Sequence, residues 1–366
     1  MLDLALSRDF KSIVLDSTPL IDVRSPVEFN KGAFPHTVNL PLMSDEERHI
    51  VGICYKEKGE EEALALGYEM VKDSVKDSRV KDWIDFIKAN PNAMLYCFRG
   101  GQRSQISQGW IGDADKDIVR LDGGYRAFRR YLIEYIDNSP KHFKPTVLGG
   151  RTGSGKTILL KKLQNFIDLE ALANHRGSSF GRHINPQPSQ INFENSLAYE
   201  LIQKIENGYT HLVFEDEGRN VGRNHIPDEL SSYLSTAPLV ILETTMEQRV
   251  EVTFDEYVLS SQSKHKEMHT KDYIDRWQID IKSSMARIKK RLGGLRYQKV
   301  SNIFQNALQA QLSNGSTKPH KEWIEYLLRE YYDPSYDYQI QQSVGRVVFR
   351  GDAGEVLEYL SGTNIT

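Results

Sequence analysis

Short apolar runs punctuate the first third of the chain, at residues 12–15, 20–23, 94–98 and 118–121, with stretches of helical period between them. Runs rich in Ile, Val and Leu that alternate with helices predict a parallel α/β sheet, the 12–15 run supplying one of its strands. Residues 60–90 set Leu64, Leu66, Tyr68, Met70, Val71, Val75, Trp83 and Phe86 at largely helical spacing and stop at Asn90-Pro91, so one or two helices belong there. A further helix is predicted over 125–136, with Phe128, Tyr131, Leu132 and Tyr135 on one side. Asp137-Asn138-Ser139-Pro140-Lys141 has the composition of a linker, which divides the chain into domains 1–138 and 139–366.

A second α/β series begins after that linker. It predicts a strand at 146–148, a glycine-rich loop, helices at 156–166 and 193–205, and strands at 211–214 and 239–243. Long helical stretches follow from 272 to about 332, and a strand at 346–349 with a helix at 354–360 closes the series. At 366 residues the chain exceeds the usual size of a single core, in keeping with two domains. No apolar run approaches the roughly 20 residues of a membrane span, and the first ten residues lack the basic start and apolar centre of a signal peptide. A cytoplasmic protein without a membrane partner is expected. Two cysteines, Cys54 and Cys97, are too few for a disulfide framework, and a net charge of −3 gives no overall sign of nucleic-acid binding.

Two loops carry the chemistry. In the first, Cys97 ends an apolar strand and leads through Gly100 and Gly101 to Arg103 and Ser104 at the start of a helix. Glycines let several backbone N–H groups converge on one point, and Arg103 with the helix N-terminus adds positive potential, so the loop suits both an oxyanion and a nucleophilic thiolate. Cys54 lacks such a cradle and reads as a packing residue. In the second, Gly150-Arg151-Thr152-Gly153-Ser154-Gly155-Lys156-Thr157 fits the Walker A pattern between a strand and a helix. Its amides would surround a diphosphate, Lys156 would neutralise it, and Thr157 can help hold Mg²⁺. The acidic end of the 211–217 strand offers Glu215 or Asp216 for the same site, and Arg219 for phosphate or RNA.

Ile21-Asp22-Val23-Arg24-Ser25-Pro26-Val27-Glu28-Phe29 and Gly32-Ala33-Phe34-Pro35-His36 resemble the signature of rhodanese-type sulfurtransferase domains, with Cys97 where their persulfide-forming cysteine would fall. Five residues separate Cys97 from Arg103, the spacing of cysteine-dependent phosphatases, so the loop alone fits chalcogen transfer or phosphate-ester hydrolysis. Together with the P-loop and the segments 175–181 and 214–222, the whole chain resembles the tRNA 2-selenouridine synthases. That resemblance implies a rhodanese-like domain followed by a P-loop domain with added C-terminal helices. It implies S-geranylation of wobble 2-thiouridine by geranyl diphosphate held on the P-loop, then selenation from selenophosphate through selenium carried on Cys97. No tightly bound cofactor is expected, and the partners implied are tRNA and an enzyme supplying selenophosphate, not DNA. Residues 281–300 hold seven Lys or Arg and no acid, with Arg287, Lys290 and Arg291 on one helical face suited to tRNA phosphates. Tyr125, Arg126, Arg129 and Arg130 form a second, weaker patch. The competing readings are a cysteine phosphatase fused to a P-loop kinase, and a noncatalytic binding module joined to an NTPase switch.

Overall fold

The computed structural model describes residues 5–178, 180–181 and 184–362. The chain forms two compact units, the first of residues 1–139 and 188–207, the second of 140–187 and 208–366. Each is built on one five-stranded parallel sheet with helices around it, and the second carries a helical C-terminal region.

In the first unit the strands lie in the order Leu6–Ser7, Val119–Leu121, Met94–Tyr96, Leu20–Asp22, Thr37–Asn39, each paired parallel to its neighbour. Ile21, Val23, Leu95, Ile111 and Ile118 close over Trp83 in the core. The 60–90 stretch forms two helices, Glu60–Met70 and Asp73–Ala89. The run at 12–15, expected as a strand, lies instead in the helix Phe10–Leu15. Asp9 caps that helix by accepting from Ser12 N at 3.1 Å, and Phe10, Ile13 and Val14 bury one face. So short a run cannot distinguish strand from helix; the i, i+3, i+4 spacing that starts at Phe10 decides it.

The helix Gln190–Glu206 belongs to the first unit, although sequence order sets it among the elements of the second domain. Asn195 fixes it there, donating to Ala33 O at 2.7 Å and accepting from Arg129 at 2.7 Å. Asn192 accepts from Ala33 N at 2.8 Å. An amphipathic pattern reports that a helix has a buried face, not which distant residues cover it.

The second unit orders its strands Val347–Gly351, Leu239–Leu242, Lys144–Gly150, His211–Glu215, Phe166–Ile167, again all parallel. Strands that follow Lys144–Gly150 lie on both sides of it, which makes its carboxyl end a switch point, where open α/β sheets bind ligands. The helix after the glycine loop spans only Lys156–Leu160, shorter than the predicted 156–166, because Phe166 joins the sheet edge opposite Val213. Helices from Met246–Phe254 to Leu328–Tyr332 pack around Trp277, Phe304 and Trp323 as a separate apolar cluster.

Candidate active sites

Cys97 follows directly on the Met94–Tyr96 strand, at the carboxyl end of the first sheet, and only 3% of it is exposed. Its loop folds back on the start of the helix Gly124–Asn138, with Tyr125 N donating to Cys97 O at 2.8 Å and Arg126 N to Phe98 O at 2.9 Å. Glycine is required for that approach. Gly100 and Gly124 have φ of 68° and 56°, and a Cβ on Gly124 would lie 2.3 Å from Cys97 O. Gly101 is different: nothing lies within 4 Å of the place its Cβ would occupy.

Cys97 Sγ lies 3.1 Å from Ser104 Oγ, which donates to Gly101 O at 2.9 Å. A hydroxyl in that position accepts from the thiol and, after rotation, can donate to the thiolate. Arg103 lines a cavity together with Cys97, but its two terminal nitrogens donate to Glu28 at 2.6 and 3.2 Å. Burial by itself would raise the pKa of Glu28; the Arg103 bonds and charge, with Arg48 at 3.0 Å, outweigh it and hold the carboxyl at about 2. The positive potential expected from Arg103 is therefore matched by an adjacent carboxylate. Behind the loop, buried Arg120 donates to Gly100 O and, at 3.2 Å, to Gln108. Burial lowers the pKa of Arg120, and charge at Cys97 opposes the shift.

The sequence signature around Asp22 proves mostly structural. Arg24 forms a fully buried fork on Asp22, 2.6 Å at its closest, donates to Gly32 O at 2.8 Å and stacks 3.8 Å from the Tyr125 ring centre. Only Glu28 of that segment reaches the thiol site, through Arg103.

In the second unit, Gly150 ends its strand and the phosphate loop turns under tight constraint. A Cβ on Gly150 would meet Ser154 Oγ at 2.8 Å and Leu242 O at 3.0 Å; one on Gly153, at φ 78°, would lie 2.3 Å from Thr253 Oγ1. Gly155 has φ 83°, and Ser154 Oγ is buried without a hydrogen-bond partner among the described residues. Lys156 Nζ donates to Gly150 O at 3.0 Å and lies 3.8 Å from Glu215. Thr157 Oγ1 is 3.3 Å from both Glu215 carboxylate oxygens and 3.4 Å from Glu170.

Glu170, Glu215 and Glu217 bring carboxylate oxygens within 4.8 Å of one another. With the Thr157 hydroxyl they form an all-oxygen donor set suited to a hard divalent cation such as Mg²⁺. Burial pushes Glu215 up to about 7, against the pull of Lys156 and with Glu170 and Asp168 adding to the rise. Burial also holds Glu217 well above the ordinary carboxylate range, reinforced by Glu170 and Glu215, and raises Asp216 and Glu256. A site crowded with carboxylates competing for protons gains most from a cation.

A polar cavity of about 290 Å³ contains the loop, Glu170, Glu215, Asp216 and Glu217, and adds Arg176 and Arg291 to its wall. Arg219, expected at this site, is absent from it; the side chain pairs with Asp228 at 2.6 Å on the surface. The basic face at 287–291 divides. Arg291 lines the phosphate cavity, Arg287 donates to Ser283 and Ser284 at 3.2 and 2.7 Å, and Lys290 is exposed. In the weaker patch Tyr125 is buried and Arg129 is bonded to Glu194 and Asn195. Of the segment 175–181, Arg176 to Ser178 line the cavity and Ser179 lies outside the described residues. Sequence reasoning missed Glu170 and Glu217 as carboxylates, and it missed Arg249. Arg249 is 2% exposed, donates to Thr152 O at 2.9 Å and grips Asp333 at 2.6 and 3.0 Å, bracing the loop. No local motif announces Arg249 or Asp333.

Residues 143–365 match the family model described as the tRNA 2-selenouridine synthase AAA domain. The chain is 60% identical over 360 residues to the tRNA 2-selenouridine synthase of a Sulfurovum species, covering 98% of this chain and 99% of that one. It is 48% identical over 360 residues to that of Hydrogenovibrio crunogenus, across 97% and 98% of the two chains. The corresponding protein of Cupriavidus pinatubonensis is 47% identical over 354 residues, 96% of this chain and 97% of its own. Similarity at this level along both units shows that the chain belongs to the tRNA 2-selenouridine synthase family.

Proposed function

We propose that this chain converts 2-thiouridine to 2-selenouridine at the wobble position of tRNA, by S-geranylation and then exchange of the geranylthio group for selenium from selenophosphate. The observation that carries the reading is the pairing, in one chain of this family, of a complete phosphate loop with a buried cysteine in a glycine-bounded loop. In the first step the thiocarbonyl sulfur attacks C1 of the geranyl group, the C–O bond breaks, its electron pair leaves on diphosphate, and the base gives up its N3 proton to solvent. Lys156 and the loop amides stabilise that developing charge, and Thr157, Glu170, Glu215 and Glu217 would hold Mg²⁺, which supplies further charge neutralisation when bound. Alkylation turns a poor leaving group into a competent one. In the second step water takes the phosphoryl group of selenophosphate as the P–Se bond breaks, the hydrogen selenide anion so released adds at C2, the C2–S bond breaks, and geranylthiolate leaves with the proton carried by selenium. Cys97 is the residue we assign to carry selenium, with Ser104 at 3.1 Å as its hydrogen-bond partner.

A phosphatase would need the Arg103 charge free above the thiol, and the two bonds to Glu28 argue for the transfer reading instead. The setting proposed is the cytoplasm, with tRNA and an enzyme supplying selenophosphate as partners; among the described residues no helix is long and apolar enough to cross a membrane. Mass analysis of thiolated tRNA tests the function directly. Incubation with the chain and geranyl diphosphate should add one geranyl group, and subsequent selenophosphate should replace it with selenium. Unmodified tRNA in both stages, with turnover of a generic aryl phosphate, would refute it.

A further inference from the structure

The cavity beside Cys97 is far larger than a small chalcogen donor needs. It measures about 690 Å³, within the size range of sites that enclose an organic ligand, and Cys97, Gly101, Gln102 and Arg103 form one wall. Leu42, Met43, Val51, Ile53, Leu64 and Val71 add an aliphatic lining, with His49 and Lys56 among them. Half of the aliphatic residues, Val51, Ile53 and Leu64, come from two helices, Asp45–Lys58 and Glu60–Met70. The first is well specified at its ends, with a Ser44–Glu47 capping box, yet contains no buried residue. Its Ile53 is 43% exposed, and Tyr68 on the second is 45% exposed. A firmly capped helix that leaves apolar side chains open around a thiol is arranged to cover something apolar.

Several of the polar groups that line the cavity are already paired. Gln102 donates to Glu60 at 2.6 Å, Arg103 and Arg48 meet on Glu28, and Arg99 borders the opening. A ligand that fits this lining has a branched hydrocarbon chain and a polar head near the sulfur. Selenophosphate satisfies only the second requirement.

We propose that this cavity seats the geranyl chain of the S-geranylated nucleoside, which places the thioether carbon–sulfur bond at Cys97. The inference rests on the reaction sequence proposed above and adds where its alkylated intermediate is held. Binding here would also give the prenyl group a role beyond activation, since the same chain that makes sulfur a leaving group anchors the base beside the selenium carrier. A methyl thioether would be activated similarly but would bury almost none of the aliphatic lining.

Equilibrium titration of the full chain with S-methyl-, S-dimethylallyl- and S-geranyl-2-thiouridine tests this. Each step of that series, adding four and then five carbons, should tighten binding by at least about tenfold, since each methylene taken from water contributes several-fold to affinity. Leu64→Trp, which narrows the cavity, should abolish that gradient, and Val51→Asp should do the same by charging the wall. A diazirine-bearing prenyl thioether should label residues between Met43 and Val71. Equal affinities for methyl and geranyl thioethers would overturn the inference, as would photolabelling confined to the second unit. If tRNA is geranylated and selenated as proposed while these results fail, only the location is wrong; if neither modification occurs, the reaction sequence itself fails.

Discussion

Glu215→Gln removes a buried carboxylate from the phosphate loop while keeping its shape, and the consequence is a change in how stability depends on pH. Glu215 is 4% exposed, and burial pushes its pKa from 4.5 up to about 7. A carboxyl raised in the folded state holds its proton between those two values while the unfolded chain has already released one. Folding therefore binds protons in that window, and stability is highest below the unfolded pKa and falls as pH rises through the folded one. At about 1.4 kcal/mol per pH unit, the displacement from 4.5 to about 7 corresponds to about 3 kcal/mol lost by the second unit across the window.

Amide exchange in the strands Lys144–Gly150 and His211–Glu215 of the full chain, followed with a chelator from about pH 5 to about pH 8, reads that loss locally. Protection should decline with pH in the wild type and decline less in Glu215→Gln. Glu217 is raised by the same crowding, so some slope should survive the single substitution. Added Mg²⁺ should flatten the wild-type decline, since a cation replaces the protons the carboxylates would otherwise hold. A wild-type profile that is already flat in chelator, or a Gln variant with an undiminished slope, would refute the electrostatic reading of this site.

Four other outcomes follow from the same structure. Cys97→Ser should abolish selenium incorporation and leave S-geranylation largely intact, as read by mass analysis of the tRNA. Lys156→Ala should weaken geranyl diphosphate binding by about ten- to a hundredfold, the loss of about 1.5 to 3 kcal/mol from one charge-assisted contact, measurable by titration. Asp22→Asn leaves the buried Arg24 guanidinium without its counter-charge, and denaturant unfolding should show the first unit destabilised by about 3 to 5 kcal/mol. Replacing Arg287 and Lys290 with Ala should lower the salt dependence of tRNA binding by about one log-log unit per lost phosphate contact, whereas Arg291→Ala should act on diphosphate affinity because its side chain lines that cavity.

The loops were legible because their constraints are local. Glycines at positions of positive φ, a strand before and a helix after, and a lysine and threonine at fixed offsets all act on neighbouring backbone, and Gly100, Gly153 and Gly155 have positive φ in the structure. The parallel sheets were legible for a similar reason, since strands buried on both faces read as short apolar runs. The exception at 12–15 shows the limit: without the cap at Asp9 and the spacing from Phe10, the run carries no helical signal. Nor could periodicity assign the helix Gln190–Glu206 to the first unit, because the asparagines that bind Ala33 and Arg129 resemble ordinary polar positions in sequence.

Charge was the least legible property, and the two sites show why. A spacing of five residues between Cys97 and Arg103 supports an anion site only if the arginine is available. Glu28, 75 positions earlier in the chain, takes both of its terminal nitrogens. At the phosphate loop the error runs the other way: Arg219 lies close in sequence to the acidic strand end but pairs with Asp228, while Arg291, read as part of an RNA-binding face, lines the cavity. Sequence reveals the sign and density of charge along a segment, but the potential at a site depends on which charges remain uncompensated after folding. For the thiol site the Arg103 charge is matched by Glu28 beside a cavity with many apolar lining residues, which is the ground for proposing a prenylated base there rather than a free phosphate ester. For the phosphate loop it leaves Lys156 facing several carboxylates, a balance that a cation and a diphosphate together would restore.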